Sequence, residues 1–98
     1  MTFSKDKKGP SWISMRLFKV IVHRKVFKEL SGLSPETKKR ITEALKEMET
    51  NPFTGDIRPV KGLKGVFRRR VGDYGIFFTV LFEENNVVIL YISHISRA

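Results

Sequence analysis

Residues 65–80 carry the pattern that most constrains the fold, because they predict two strands joined by a tight turn. The first strand contains three adjacent arginines, Arg68, Arg69 and Arg70. The second strand is a nearly continuous apolar run that begins after Gly72-Asp73. Three adjacent arginines in a strand are costly unless an anion binds them. We therefore expect this hairpin to form a phosphate-binding surface that the other elements hold in place.

Two further strands are predicted outside the hairpin. Residues 16–22 are rich in β-branched and aromatic side chains, and residues 87–94 form an apolar run that suggests a strand covered on both faces. Residues 83–86 are a polar turn between the last two strands, whereas residues 52–64 are predicted to be a loop.

Two helices are predicted between the first strand and the hairpin. Residues 23–33 carry a short apolar stripe at helical spacing, followed by a stop at Ser31-Gly32. The second helix begins at Ser34-Pro35, runs to about Thr50 and ends before Pro52. The order β-α-α-β-β-β predicts an α+β fold, with two N-terminal antiparallel helices packed on one face of a twisted, mainly antiparallel sheet.

The 98 residues predict a single domain, residues 15–98, after a flexible basic extension over residues 1–14. Both Met1 and Met15 are candidate start residues. Neither a secretory signal nor a membrane-spanning run is recognisable. The absence of cysteine excludes disulfides and cysteine-ligated zinc, and it fits a reducing, cytoplasmic compartment.

The charge balance favours a polyanionic partner. Lys and Arg number 19 against 10 Asp and Glu, which gives a net charge of +9. A small domain this basic attracts nucleic acid. The alternatives are a solubilising surface and a patch that meets an acidic protein.

Alternation along the first hairpin strand divides its arginines between two faces. Arg68 and Arg70 share the face opposite Phe67 and Val71, about 7 Å apart, which suits one phosphate or two adjacent phosphates. Their alternative interpretation is a solvated strand face. Arg69 points toward the core, so it has to reach water, pair with an acid or lie near the sheet edge.

Other basic and titratable residues lie close to the hairpin in the sequence. Arg58, Lys61 and Lys64 make the preceding loop basic. His94 leaves the last strand and is either a general acid or base or a structural residue. Arg97 is another candidate basic residue near the end of the chain. Its alternative interpretation is part of a loose terminal segment.

Four segments together resemble the RelE/ParE toxin superfamily, and its RelE branch in particular. They are the opening strand into residues 23–30, the Ser34-Pro35 helix ending in Asn51-Pro52-Phe53, residues 61–74, and Ile92-Ser93-His94. The resemblance implies two helices on a twisted antiparallel sheet. It also implies a toxin that a small, acidic, helical antitoxin neutralises. RelE-like toxins cut mRNA in the ribosomal A site without a metal or cofactor, by attack of a ribose 2′-OH on the neighbouring phosphate.

The resemblance also assigns roles to individual residues. Arg68, Arg70 and Arg97 match basic residues of the RelE-like site, and His94 is left for proton transfer, with Tyr74 as the other candidate. Lys61 and Lys64 lie in the equivalent basic loop and, with Arg58, are expected to contact RNA.

Three departures from the RelE-like pattern imply weakened, re-routed or absent nuclease activity. Gly75 stands where an arginine is usual, Arg69 stands where an apolar residue is usual, and the chain ends at Ala98 without a tail bearing tyrosine or histidine. The alternative is a non-catalytic member of the fold, either a ParE-like gyrase inhibitor or a degenerate toxin that only binds its antitoxin. An unrelated RNA-binding sheet is disfavoured, because Phe77 and Phe78 alternate and at most one of them is available for stacking.

Overall fold

The computed structural model describes residues 17–95. The predicted extension over residues 1–14, and Arg97, lie outside the described residues. The elements follow the predicted order with one added strand: β1 Lys19–Val22, α1 Arg24–Ser31, α2 Pro35–Met48, β2 Asp56–Pro59, β3 Val66–Val71, β4 Tyr74–Leu81 and β5 Asn86–His94.

Local sequence signals determine where the helices begin and end. At the start of α2, the Ser34 hydroxyl accepts a hydrogen bond from the Thr37 backbone N–H at 3.3 Å, and Pro35 occupies the first helical position. At the end of α1, the Gly32 N–H donates to the carbonyl oxygens of Lys28 and Glu29. Within residues 17–95, neither helix is long and apolar enough to cross a membrane.

The five strands form one sheet in the order β1-β5-β4-β3-β2. β1 is parallel to β5, and every other neighbouring pair is antiparallel. The prediction of a loop over residues 52–64 is wrong at β2, a four-residue edge strand. Only Ile57 of β2 packs against the core, so the strand carries no apolar alternation. β2 forms because it pairs with β3, with Ile57 opposite Arg69 and Arg58 opposite Arg68.

Both helices cover the same face of the sheet and bury one apolar core there. Glu47 on α2 pairs with Arg69 on β3, and the Glu29 carboxylate on α1 accepts a hydrogen bond from the Ile92 N–H on β5. The predicted α+β arrangement is therefore confirmed. The core cluster consists of Val26, Leu30, Ile41, Ala44, Met48, Ile76, Phe78, Val87, Ile89 and Ile92.

A β-bulge in β5 changes which side chains reach the other face of the sheet. Phe78 pairs with Ile89 and Phe77 pairs with Tyr91, so Leu90 is an extra residue in β5. Ile89 and Ile92 consequently both face the core, whereas Tyr91 faces away from it. We call the sheet face that carries Tyr91 and Phe77 the open face, because neither α1 nor α2 packs on it in the described part of the chain.

Candidate nucleic-acid interface

Four side chains form a straight row across the open face, one from each of four neighbouring strands. Arg58 on β2 lies opposite Arg68 on β3, Arg68 lies opposite Phe77 on β4, and Phe77 lies opposite Tyr91 on β5. Neighbouring strands are about 4.8 Å apart, so the row is about 14 Å long. Two guanidinium groups therefore stand at one end of the row and two aromatic rings at the other.

Arg68 is the most enclosed cation of the open face. Its aliphatic stem lies against Gly75, where an added Cβ would be 3.1 Å from the Arg68 Cγ. The Arg68 Nε is buried and has no hydrogen-bond partner in residues 17–95. A buried donor without a partner is costly, and a ligand oxygen at this position would relieve the cost.

Arg70 lies two residues further along β3 and is exposed. Its Nε donates a hydrogen bond to the Gly72 carbonyl at 3.0 Å, which fixes the stem and leaves its other N–H groups for a ligand. Asp56 stands opposite Arg70 but pairs with Arg58 at 3.8 Å, in a largely exposed contact. Such a pair contributes little to stability and does not block a stronger anion.

Arg69 is diverted to the helix-covered face, where it pairs with an acid. Its Nη2 lies 2.6 Å from the Glu47 Oε1, and its Nη1 donates to the Ala44 carbonyl at 3.5 Å. Gly55, with φ +94°, leaves room for this guanidinium, because a Cβ there would stand 2.8 Å from the Arg69 Nε. Of the alternatives that the sequence left open, pairing with an acid is confirmed.

His94 is not brought together with Arg68 and Arg70. It lies opposite Tyr74 at the end of the sheet, on the face that carries Ile92 and the core. The His94 and Tyr74 rings meet edge to face with centroids 5.1 Å apart. The two candidates for proton transfer therefore stand together, but the sheet separates them from the open face.

Two of the remaining predicted site residues are lysines in the connection between β2 and β3. Lys61 and Lys64 lie in the turn that joins β2 to β3, and both are exposed. Arg97 follows Ile95 by two residues and lies outside the described part of the chain. The structure thus groups Arg58, Arg68 and Arg70, with the two lysines on the turn beyond Arg58 and Arg68.

The stacked aromatic pair of Phe77 and Tyr91 is the component that sequence reasoning missed. The sequence allows at most one of Phe77 and Phe78 on that face, and the structure shows that Phe77 is the one on the open face. Tyr91 follows Ile89 by two residues, so alternation alone would bury it. The extra residue at Leu90 reverses that assignment, and no residue pattern in β5 announces the bulge.

The described residues offer no metal site. Within residues 17–95, no three His, Asp or Glu side chains lie close enough together to hold an ion. The open face carries guanidinium groups and aromatic rings, which suit a ligand that bears both phosphates and bases.

A family model matches most of this chain. The model describes the ParE toxin of the type II toxin–antitoxin system parDE, and it matches residues 20–98. A curated relative from Methanocaldococcus jannaschii, named RelE1, is 33% identical over 79 residues, which cover 78% of this chain and 88% of the relative.

Solved structures of toxin–antitoxin complexes share the fold. The archaeal RelE–RelB complex from Pyrococcus horikoshii OT3 contains a chain that is 25% identical, with a TM-score of 0.73, over 84% of this chain and 99% of that one. The RelBE2 complex from Mycobacterium tuberculosis contains one that is 24% identical, with a TM-score of 0.69, over 79% of this chain and 96% of that one.

Proposed function

Because this chain belongs to the ParE toxin family of type II toxin–antitoxin systems, within the RelE/ParE superfamily, we propose that it is a toxin that cuts mRNA in the ribosomal A site. The observation that carries the proposal is the division of the three arginines. Arg68 and Arg70 both lie on the open face, whereas Arg69 forms an ion pair with Glu47 on the helix-covered face. Two guanidinium groups on one strand face, each with N–H groups left for a ligand, can bind one phosphate or two adjacent phosphates.

The proposed reaction is a metal-independent transesterification. The ribose 2′-OH loses its proton and its oxygen bonds to the adjacent phosphorus, while the bond from phosphorus to the 5′ oxygen breaks and that oxygen gains a proton. The products are a 2′,3′-cyclic phosphate and a 5′-hydroxyl. The transition state carries extra negative charge on the phosphate oxygens, and guanidinium groups stabilise it.

Each basic residue of the candidate site has a role in this proposal. Arg68 and Arg70 hold the scissile phosphate, and Arg97 supplies a third cation from just beyond β5. Lys61, Lys64 and Arg58 contact the backbone of mRNA or ribosomal RNA. Arginine stays protonated at neutral pH and cannot take up the 2′-OH proton.

Proton transfer therefore has to come from His94, from Tyr74 or from the ribosomal site itself. His94 lies on the other face of the sheet beside Tyr74, so it can act only where RNA bends around the edge of the sheet at which β4 begins and β5 ends. This arrangement, together with Gly75, implies a slower reaction than that of relatives with arginine at that position.

An antitoxin is the proposed protein partner. Two of the chains of similar fold were solved in complexes, one in a RelE–RelB complex and one in the RelBE2 toxin–antitoxin complex. A small, acidic, helical antitoxin would complement the net charge of +9. Both partners would meet in the cytoplasm, where ribosomes translate mRNA.

The second candidate function is a non-catalytic toxin, either a gyrase inhibitor or a protein that only binds its antitoxin. The separation of His94 from the open face and the glycine at position 75 favour it. Such a toxin would leave mRNA intact, and a gyrase inhibitor would slow DNA supercoiling by purified gyrase.

The test is to express the chain with and without its antitoxin and to map mRNA 5′ ends on stalled ribosomes. We expect new 5′ ends within A-site codons when the toxin is unopposed, and their loss in the Arg68→Ala/Arg70→Ala double variant. Arg69→Leu is the matched control, since it removes a charge from the other side of the same strand. Toxicity that survives the double substitution would overturn the assignment of these arginines.

A further inference from the structure

The aromatic pair, Phe77 and Tyr91, presents an uncovered ring face at the edge of β5. The ring centroids are 4.4 Å apart and the ring planes differ by 13°, so the two rings stack face to face. β1 pairs with β5 only as far as Val22 opposite Ile89. No described strand therefore lies beside Tyr91 on its outer side, and the residue is 40% exposed.

The β-bulge at Leu90 creates this arrangement. If Leu90 were paired as a regular strand residue, alternation would place Tyr91 on the core face with Ile89, and the open face would lack its second ring. Bulges are often found beside functional sites, where they redirect a side chain. Here the redirected side chain is a tyrosine placed in line with Phe77, Arg68 and Arg58.

The positive charge of Arg68 beside the aromatic pair indicates which class of ligand binds there. Arg68 is directly opposite Phe77, and the backbones of Arg68 and Tyr91 are two strand spacings apart, about 10 Å. A phosphate bound at Arg68 therefore places the neighbouring nucleotide within reach of Tyr91. An acidic peptide could also bind the arginines, but its carboxylates would not extend the stack of rings, whereas a nucleobase would.

We propose that Tyr91, backed by Phe77, is a stacking platform for one nucleobase of single-stranded RNA, while Arg68 binds a phosphate of an adjacent nucleotide. The proposal rests on the proposed action on RNA and adds a base-binding subsite to it. Stacking accepts any base, because every base has a π face. The platform thus orients the strand without selecting its sequence.

The experiment compares two short single-stranded RNA probes of equal length, one with bases and one abasic, by fluorescence anisotropy. We expect the wild-type chain to bind the probe with bases more tightly than the abasic probe. Tyr91→Leu is expected to weaken binding of the probe with bases about tenfold, the loss of one stacked base, and to leave the abasic probe unaffected. Tyr91→Phe keeps the ring and should bind like wild type.

The matched control is Phe27→Leu, which removes an exposed aromatic residue from α1, on the other side of the sheet. It should leave both RNA affinities unchanged. The proposal is overturned if Tyr91→Leu binds the probe with bases as wild type does, or if it loses affinity for both probes equally. Unchanged RNA binding combined with weakened binding of the cognate antitoxin would identify a protein contact, and would overturn the proposal as well.

Failure of the platform and failure of the proposed cleavage give different results. If wild type binds RNA through Tyr91 but never cuts mRNA on ribosomes, the platform stands and the nuclease proposal fails. If wild type cuts mRNA and Tyr91→Leu cuts it with the same KM and kcat, the nuclease proposal stands and the platform fails.

Discussion

Arg68 lies over Gly75 of the neighbouring strand, so the two residues share one space on the open face. A Cβ built on Gly75 would stand 3.1 Å from the Cγ and 3.2 Å from the Cδ of Arg68, and 2.9 Å from the Cδ1 of Ile95. Any larger residue at position 75 therefore has to displace Arg68 or Ile95. The RelE-like pattern has an arginine at this position. Here the residue is Gly75, and the Arg68 side chain fills the space beside it.

Gly75→Ala should destabilise the fold by about 1 kcal/mol, because the added methyl group overpacks a filled site. Urea unfolding followed by circular dichroism measures this difference. Gly32→Ala is the matched control: Gly32 has φ −83°, and its nearest neighbour to an added Cβ is 3.7 Å away. It should be neutral or stabilising. Equal stability of Gly75→Ala and wild type would show that Arg68 does not fill this space.

The three arginines of β3 should differ in their contribution to RNA binding. Arg68→Gln and Arg70→Gln should each weaken binding of single-stranded RNA and lower the slope of log K against log salt by about 0.7, the effect of one lost phosphate contact. Arg69→Leu removes the same charge but should leave the slope unchanged. A titration of affinity against salt separates these cases, and three equal slopes would argue for a diffuse charge effect instead.

Glu47→Ala should cost about 1–2 kcal/mol, since the guanidinium of Arg69, whose side chain is only 12% exposed, loses its carboxylate partner. This cost is at the low end of what is usual when a buried polar group loses its hydrogen-bond partner, because the Glu47 side chain is 53% exposed. Arg69→Leu replaces the charge by an apolar group and should cost less, or stabilise the fold. Thermal unfolding of both variants checks the order, and the reverse order would contradict the structural role given to this pair.

Ser34→Ala should cost about 1 kcal/mol of stability, because α2 loses the side-chain acceptor for the Thr37 N–H. Ser31→Ala, at the last residue of α1, is the control. The Ser31 hydroxyl only donates to the carbonyls of Phe27 and Lys28 within α1, so we expect a change of about 0.5 kcal/mol or less. Equal urea midpoints for the two variants would rule out a capping role for Ser34.

The elements with strong local signals were predictable from the sequence. The start of α2 follows from Ser34-Pro35, and β3, Val66–Val71, is the first strand of the hairpin predicted over residues 65–80. Alternation in β3 placed Arg68 and Arg70 on one face and Arg69 on the other, as the structure has them. These predictions succeed because capping and side-chain alternation depend on neighbours in the chain.

The missed features depend on pairing between distant segments. β2 exists because β3 provides its hydrogen-bond partners, not because residues 56–59 look like a strand. The bulge at Leu90 arises from the register of β4 against β5. It moves Tyr91 onto the open face and His94 away from it. One inserted residue therefore accounts both for the aromatic residue that the sequence did not assign to the site and for the histidine that the structure does not bring there.

The most direct test of the central claim is cleavage of a defined mRNA on purified ribosomes with an open A site. The account predicts that wild type cuts within the A-site codon and leaves a 2′,3′-cyclic phosphate and a 5′-hydroxyl. Arg69→Leu should cut at the same rate, and Arg68→Ala/Arg70→Ala at least about a hundredfold more slowly. Intact mRNA after incubation with folded wild-type protein, or cleavage that the double substitution leaves unchanged, would contradict it.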